Sequence, residues 1–431
     1  MTKMNVKKTK KSRINDDTIF IQIASYRDPQ LLPTIQDMLK KAKYPENLRI
    51  GIAWQRSTDD KWEDVDIYVN DSRFRILEIP YTESQGVCWA RNKVQSLYKS
   101  EKYTLQLDSH HRFEDNWDET MIEMLKDLQK NGSPKPLITG YIPSFDPDND
   151  PAARVREPWK MNFDRFIPEG AVFFLPASFD TFDDKSKPLA ARFYSAHFAF
   201  TVGEFCLEVP HDPNYYFHGE EISIAVRAFT QGYDLFHPHK IVCWHEYTRK
   251  GRTKQWDDDK EWVKRNNACH LRNRKLFGMD GEINDIDFGP YGFGTVRSLR
   301  DYERYAGLSF SKRAIQKNVI DHKAPPDSSQ NLSDEEFDTA FLKIFKHCID
   351  IGYNQVPEND YDFWCVAFKD KDGQDIHRKD ADRDEILRMK NDPDGYCKVW
   401  REFQTDQNPS SWLVWPHSES KGWADPITGN L

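Results

Sequence analysis

Long hydrophobic runs are missing from this 431-residue chain. The longest apolar patch, Ala171-Val172-Phe173-Phe174-Leu175, falls far short of the roughly 20 residues a membrane-spanning helix needs. No transmembrane segment is expected. An excess of positive charge is missing too: 61 basic against 70 acidic residues leave a formal net charge of −9, whereas general nucleic-acid binders carry a basic footprint. Cysteine is sparse, and Cys88, Cys206, Cys243, Cys269, Cys348, Cys365 and Cys397 never form a C-x-x-C pair. Odd in number and scattered, they fit buried thiols in a reducing compartment better than disulfides or a zinc site, so the expected location is cytoplasmic. Internal repeats and low-complexity segments are absent as well. Only Met1 to Arg13 is rich in lysine, and with no apolar run behind it this start is neither a signal peptide nor an anchor. Residues 1–17 read as a basic flexible tail, with a lipid- or partner-binding arm as the other reading.

What is present describes a folded protein: 38% hydrophobic residues, 13% aromatic and 30% charged of both signs. The length suits a catalytic domain plus an accessory one, because single cores stop growing near about 250–300 residues. From Thr18 onward strand and helix patterns alternate. Ile19 to Ile23 is a strand, Leu31 to Lys43 an amphipathic helix, Leu48 to Trp54 a second strand, Gln85 to Lys99 a helix, and Tyr103 to Leu107 a third strand. Such alternation predicts an α/β fold with a mostly parallel sheet, whose ligands bind at the carboxyl ends of the strands. Three such ends are polar: Ser25-Tyr26-Arg27-Asp28, Gln55-Arg56 and Asp108-Ser109-His110.

Further along, Pro134 to Pro151 reads as loop, with Asp146 to Pro151 a surface excursion. Gly219-Glu220-Glu221 opens a helix that Gly232 ends, and Ile241 to Trp244 reads as a strand. Lys323 to Gln330 is a linker by composition. Beyond it Ser333-Asp334-Glu335-Glu336 is a capping-box start. Turns at Lys371-Asp372-Gly373 and Asn391 to Gly395 suggest hairpins in a smaller α+β or β-rich C-terminal domain. The expected division is a catalytic domain at 18–310 and an accessory domain of open role at 311–431.

Asp108 and His110, two apart at a strand end, can turn toward one cation, and Mn2+ accepts mixed carboxylate and imidazole ligands. A plain turn explains the same triplet. His245, in Cys243-Trp244-His245-Glu246-Tyr247, supplies a third ligand after another strand, or is simply a polar strand end. His237 and His239 read as structural or surface residues. Glu220 and Glu221 occupy a first helical turn, where the helix dipole favours carboxylates for structural reasons alone. One of them is a candidate active-site carboxylate, with Glu220 the first choice. Arg27 and Asp28 lie where a uridine and its ribose would rest, although Asp28 also suits a helix cap. Arg91 can neutralise a diphosphate or pair with Asp108. Arg249, Lys250 and Arg252 form a cationic loop able to close over a diphosphate, or a solvated basic turn.

In this order the segments Ser25-Tyr26-Arg27-Asp28-Pro29, Gln85-Gly86 with Ala90-Arg91, Leu105 to His110, Gly219-Glu220-Glu221 with Arg227, and His245-x-Tyr247-x-Arg249 resemble glycosyltransferase family 60 over about residues 18–300. The layout is also similar to the mucin-type polypeptide N-acetylgalactosaminyltransferases. The resemblance implies a GT-A fold, Asp108, His110 and His245 holding Mn2+ (or Mg2+), and UDP lying over Ser25 to Asp28, with Gln55, Arg91, Ser109 and Arg249 also on the nucleotide side. It implies transfer of GlcNAc from UDP-GlcNAc to a hydroxyl of a protein or glycan acceptor, with retention of configuration. Glu220, Glu221 and Arg91 are then the catalytic candidates. An inverting family 2-like transferase, an inactive carbohydrate-binding protein and a metal-dependent hydrolase are the competing readings. Acceptor and oligomeric state are not readable from the sequence.

Overall fold

The computed structural model describes residues 17–62, 65–181, 183–282, 285–326, 332–391 and 395–431. Most of the expected basic tail therefore lies outside the described residues, as do residues 327–330 of the expected linker. Asp17, where the described chain begins, is bonded to Lys102 and Lys126.

An eight-stranded mixed sheet forms the body of the larger part. Strands β1 (Ile19–Tyr26), β2 (Leu48–Arg56), β3 (Phe74–Pro80) and β4 (Tyr103–Leu107) run parallel, in the order β3-β2-β1-β4. Helix α1 (Leu31–Lys41) follows β1 and α2 (Val87–Gln95) precedes β4. Both helices are shorter than the sequence pattern predicts. β4 is buried along its whole length, so the first residue with access to solvent after it is Asp108. A short strand β5 (His111–Phe113) comes next, then α3 (Trp117–Lys130).

The rest of the sheet departs from the parallel expectation. Strand β6 (Pro136–Thr139) is fully buried, whereas Pro134 to Pro151 reads as loop in the sequence. Pro134 before it and Pro136 at its start hide a strand of only four residues. After it come an antiparallel hairpin, β7 (Trp159–Phe166) with β8 (Val172–Ser178), the short β9 (Leu189–Ala190) and β10 (Phe198–Val202). β10 runs antiparallel between β4 and β6, pairing Phe198 with Leu107. The start of β10 therefore meets the end of β4, and Ala196-His197 arrives beside Asp108. Helices α4 (Phe205–Glu208) and α5 (Glu220–Thr230) follow, then β11 (Asp234–His237), which joins β6 in parallel. Gly219 begins α5 at φ 93° and Gly232 lies beyond its end at φ 92°, both in the left-handed region that glycine tolerates. The strand expected at 241–244 is β12 (Cys243–His245), and it pairs antiparallel with β5, placing His245 opposite His111.

Two apolar clusters cover the faces of this sheet, and one of them reaches Ile315 and Val319. A third core, built on Ile349, Trp364, Val366, Val399 and Val414, belongs to a separate β-rich part. There strand Lys343–Gly352 pairs with Tyr396–Thr405, and Tyr361–Lys369 lies between Asp375–Arg378 and Ser411–Ser418. The predicted capping box is present: Ser333 and Glu336 cap helix Asp334–Thr339. The turn at Lys371 to Gly373 joins two strands as expected. The one at Asn391 to Gly395 does not; it follows a helix, Arg383–Lys390, whose single short apolar face (Ile386, Met389) gives a weak signal in sequence. Residues 392–394 of that turn lie outside the described residues. No helix among the described residues is long and apolar enough to cross a membrane.

Candidate active site

Asp108 Oδ2 lies 3.7 Å from His110 Nε2 and 3.5 Å from His245 Nε2. One ligand-capable atom from each of these side chains lies within 4.8 Å of the others. β4 and β12 thus bring together residues 137 positions apart at most, counted from Asp108 to His245, through the β5–β12 pairing. The donor set fits a divalent cation. Both ring nitrogens of His245 are buried with no hydrogen-bond partner; an unmet buried polar group costs about 1–3 kcal/mol, and a cation held at one nitrogen would relieve that one. Burial, aided by His110 and His111 and opposed by Asp108, holds the His245 pKa well below the usual imidazole value. The ring is neutral, as a ligand must be.

His110 is oriented by Asp28. That carboxylate accepts hydrogen bonds from His110 Nδ1 at 2.8 Å, Ser109 Oγ at 2.6 Å and Arg252 Nη1 at 3.1 Å. Burial alone would raise its pKa, but His110, Arg252 and Ser109 outweigh that and lower it. Since a carboxylate only accepts, the bond to Asp28 favours a proton on Nδ1 and turns Nε2 toward Asp108. Asp28 also accepts from the Gln30 amide at 2.8 Å, so it orients His110 and caps the turn into α1 together. Arg252 Nη1 stands 3.0 Å from His110 Nε2, and its Nη2 donates to Glu246 at 2.7 Å.

Arg91 lies on the other side of Asp108. Its Nη2 donates to Asp108 at 2.6 Å, and its Nη1 donates to Glu220, which also accepts from the Cys88 thiol. Burial works against every charge here. Arg91, His245 and His110 nevertheless hold Asp108 well below the usual carboxylate range, while burial leaves Glu220 raised despite Arg91. Glu221 accepts from the Ala196 amide at 2.9 Å and faces the Tyr141 hydroxyl at 3.4 Å. It is half-buried at the larger cavity, and desolvation together with Glu220 pushes its pKa up to about 8.

Two cavities meet at Asp108, His245, Phe217 and Arg249. The smaller, about 160 Å³, is bounded by Tyr26, Asp28, Gly86, Ser109, His110, Arg252 and Trp256. Gly86, at φ 112°, could not carry a side chain, because a Cβ there would come within 2.8 Å of the Tyr216 carbonyl oxygen. The larger, about 340 Å³, holds Arg91, His197, Glu220, Glu221 and Tyr247, with Phe173 and Phe174 of the β7–β8 hairpin as an apolar wall. Ser25 and Gln55 are buried, bond to each other through Gln55 Nε2 and the Ser25 carbonyl at 3.0 Å, and line neither cavity. Arg27 pairs with Asp60 at 2.8 Å and Asp258 at 3.0 Å, and Tyr26 donates to Asp258 at 2.7 Å. Arg249 faces both cavities, whereas Lys250 is tied to Asp148 at the surface. His237 is structural, donating to the Thr139 carbonyl at 2.9 Å.

The sequence reading missed several lining residues. His197 stacks on His245 with ring centroids 4.3 Å apart, and Tyr247 approaches its Nε2 at 3.2 Å. His197 precedes its strand, so attention to strand ends passes over it; only the reversed direction of β10 brings it to the site. Tyr141 and the hairpin wall reach the site through tertiary packing, with no local signal.

Residues 18–69 and 61–312 match the family model described as Glycosyltransferase (GlcNAc), which is more than half of the chain. The chain belongs to this family. As a glycosyltransferase it is structurally similar, at low identity, to several solved proteins. GalNAc-T7, crystallised with UDP, GalNAc and Mn2+, shares 14% identity over 66% of this chain and 54% of its own length, with a TM-score of 0.47. The chain thus spans about half of that structure. TarS residues 1–349 from S. aureus, in complex with UDP-GlcNAc, shares 11% identity over 59% of this chain and 67% of its own, with a TM-score of 0.35. The mannosyltransferase PcManGT from Pyrobaculum calidifontis, with GDP-Man and Mn2+, shares 14% over 54% and 58%, with a TM-score of 0.36. A comparison with curated protein sequences finds no match.

Proposed function

We propose that this glycosyltransferase, a family 60-like enzyme with a GT-A catalytic domain, transfers GlcNAc from UDP-GlcNAc to a hydroxyl of a protein or glycan acceptor, with retention of configuration. The observation that carries the reading is the convergence of Asp108, His110 and the unpaired His245 nitrogens between two cavities. Those three side chains would hold Mn2+ or Mg2+, which supplies positive charge against the departing diphosphate. The family description supports GlcNAc as the sugar.

In this reading the smaller cavity takes the nucleotide. Tyr26, which shares Asp258 with Arg27, would lie beside the base and ribose, Ser25 and Gln55 would act from behind the lining, and Asp28 and Ser109 set the orientation of His110. Arg249, at the junction, and Arg252 bring positive charge to the diphosphate. Sugar and acceptor occupy the larger cavity, where the apolar wall of β7–β8 excludes water. Arg91 keeps Asp108 ionised and in place by bridging it to Glu220. Retention rests on the likeness to family 60; of the two carboxylates, Glu220 is engaged by Arg91 and Cys88, and the Glu221 pKa is pushed up to about 8. On the retaining route neither carboxylate acts as base: the acceptor proton passes to the leaving diphosphate oxygen as the bond from the sugar to the diphosphate breaks and the new glycosidic bond forms, whereas an inverting route would use Glu221 as base.

We assign catalysis to residues 18–310 and an accessory role to 311–431, with Ile315 and Val319 anchoring the second part in the core of the first. All seven cysteines are free and six are buried, which supports a reducing, cytoplasmic setting. The test is turnover of UDP-GlcNAc with Mn2+ against a library of hydroxyl acceptors. Asp108→Asn and His245→Ala are expected to lose roughly 100-fold or more, and the product's anomeric proton coupling reads retention or inversion. Wild-type turnover in Asp108→Asn would remove the metal site from the proposal.

A further inference from the structure

Transfer chemistry gives the small C-terminal sheet no role, yet its outer face carries exposed aromatic side chains. Phe363 stands opposite His417 and Cys365 opposite Trp415 on paired strands, while Trp423 on the next strand lies opposite His417. Side chains alternate along a strand, so Trp364, Val366 and Val414 fill the core and this second set faces outward. Trp415 is 37% and Trp423 47% exposed. A contiguous aromatic patch left open to water marks a binding surface more often than a single exposed ring does.

The rings form one assembly. Trp415 and Trp423 have centroids 4.5 Å apart, Phe363 meets Trp423 edge-on at 5.3 Å, and Phe363 stacks on His417 at 5.2 Å. They are also held in place: Trp415 Nε1 donates to the Ala424 carbonyl at 2.8 Å, and His417 Nδ1 bonds to Asp362 at 2.7 Å. A ligand would therefore meet a surface with little rotamer freedom left to lose.

Polar groups at the rim identify the ligand class. Asp362 is engaged by His417, and Arg378, opposite Ala367 on the same face, grips Asp380 through two bonds of 2.9 Å. Arg378 and His417 are thus each engaged by a carboxylate, an arrangement that disfavours an anionic polymer. The rim offers donors and acceptors beside flat apolar rings. A pyranose matches this pattern: one face carries C–H groups, slightly positive and attracted to the negative face of an indole, and its edge carries neutral hydroxyls. The four strands from Asp375–Arg378 to Gly422–Trp423 span about 14 Å at roughly 4.8 Å per strand, room for more than one sugar unit.

We infer that this face is a binding site for a neutral oligosaccharide, apart from the transfer site, that retains the glycan-bearing acceptor or product on the enzyme. Binding itself does not depend on the proposed function; only its use does. The test applies the full-length chain to an array of neutral oligosaccharides containing glucose, galactose, mannose and N-acetylhexosamines. The wild type is expected to bind at least one, Trp415→Ala and Trp423→Ala each to lose tenfold or more in apparent affinity, and Trp423→Phe to keep most of it. Asp108→Asn should bind as the wild type does, so a failed transfer assay and a failed platform are separate results. Three outcomes would overturn the inference: no oligosaccharide held by the wild type, binding undiminished in both alanine variants, or Trp423→Ala turning a wild-type dimer into a monomer in sedimentation, which would make the face a self-association surface.

Discussion

Arg91→Met tests the electrostatics around Asp108 directly. The Arg91 side chain is only 7% exposed and bridges Asp108 and Glu220, whose side chains are 25% and 5% exposed. Methionine keeps much of the volume and removes the charge. Asp108 retains His110, His245 and some solvent, so its share of the loss is small. Glu220 keeps only the Cys88 thiol among its side-chain partners here, and is left as a buried carboxylate without a counter-charge. Breaking a buried pair from one side costs about 3–5 kcal/mol, and that is the loss expected in urea denaturation at neutral pH with chelator present. The deficit should shrink as pH falls, because protonation neutralises the stranded Glu220. Adding Glu220→Gln to Arg91→Met should restore about 1 kcal/mol or more, since the residual cost is that of an unpaired charge. A loss under about 1 kcal/mol for Arg91→Met, or no recovery in the double variant, would refute the reasoning.

Asp28→Asn keeps the size of the side chain but removes the carboxylate that fixes the His110 tautomer; metal affinity measured by calorimetry should fall about 10–100-fold, with the fold retained by circular dichroism, and unchanged affinity would contradict that role. Glu221→Gln should alter the pH dependence of stability. With its folded pKa raised to about 8, Glu221 holds a proton between pH 4.5 and 8 that the unfolded chain has released. Stability is thus fully present below the unfolded value and is lost toward pH 8, by up to about 1.4 kcal/mol per pH unit. Without metal, the stability of Glu221→Gln relative to the wild type should rise across that window; parallel curves would show that Glu221 is ionised throughout.

Local chemistry was enough to read the strand Tyr103–Leu107, the polar end that follows it, and the helix opened by Gly219, because burial, strand period and glycine conformation act over a few residues. The partnership of Asp108 and Arg91 was one of several readings; the structure shows the pair, extended to Glu220, which lies 129 positions from Arg91. Strand direction was beyond the sequence. Apolar alternation is the same whichever way a strand runs, so nothing local shows that β10 reverses and delivers His197 to Asp108, or that β6 lies hidden between prolines. The sequence alone determined which residues can act as ligands, since carboxylate and imidazole at strand ends carry that capacity with them. Only the tertiary structure decided which of them share one site, because the β5–β12 pairing that sets His245 against Asp108 and His110 is a long-range contact whose stability comes from the packed core around it.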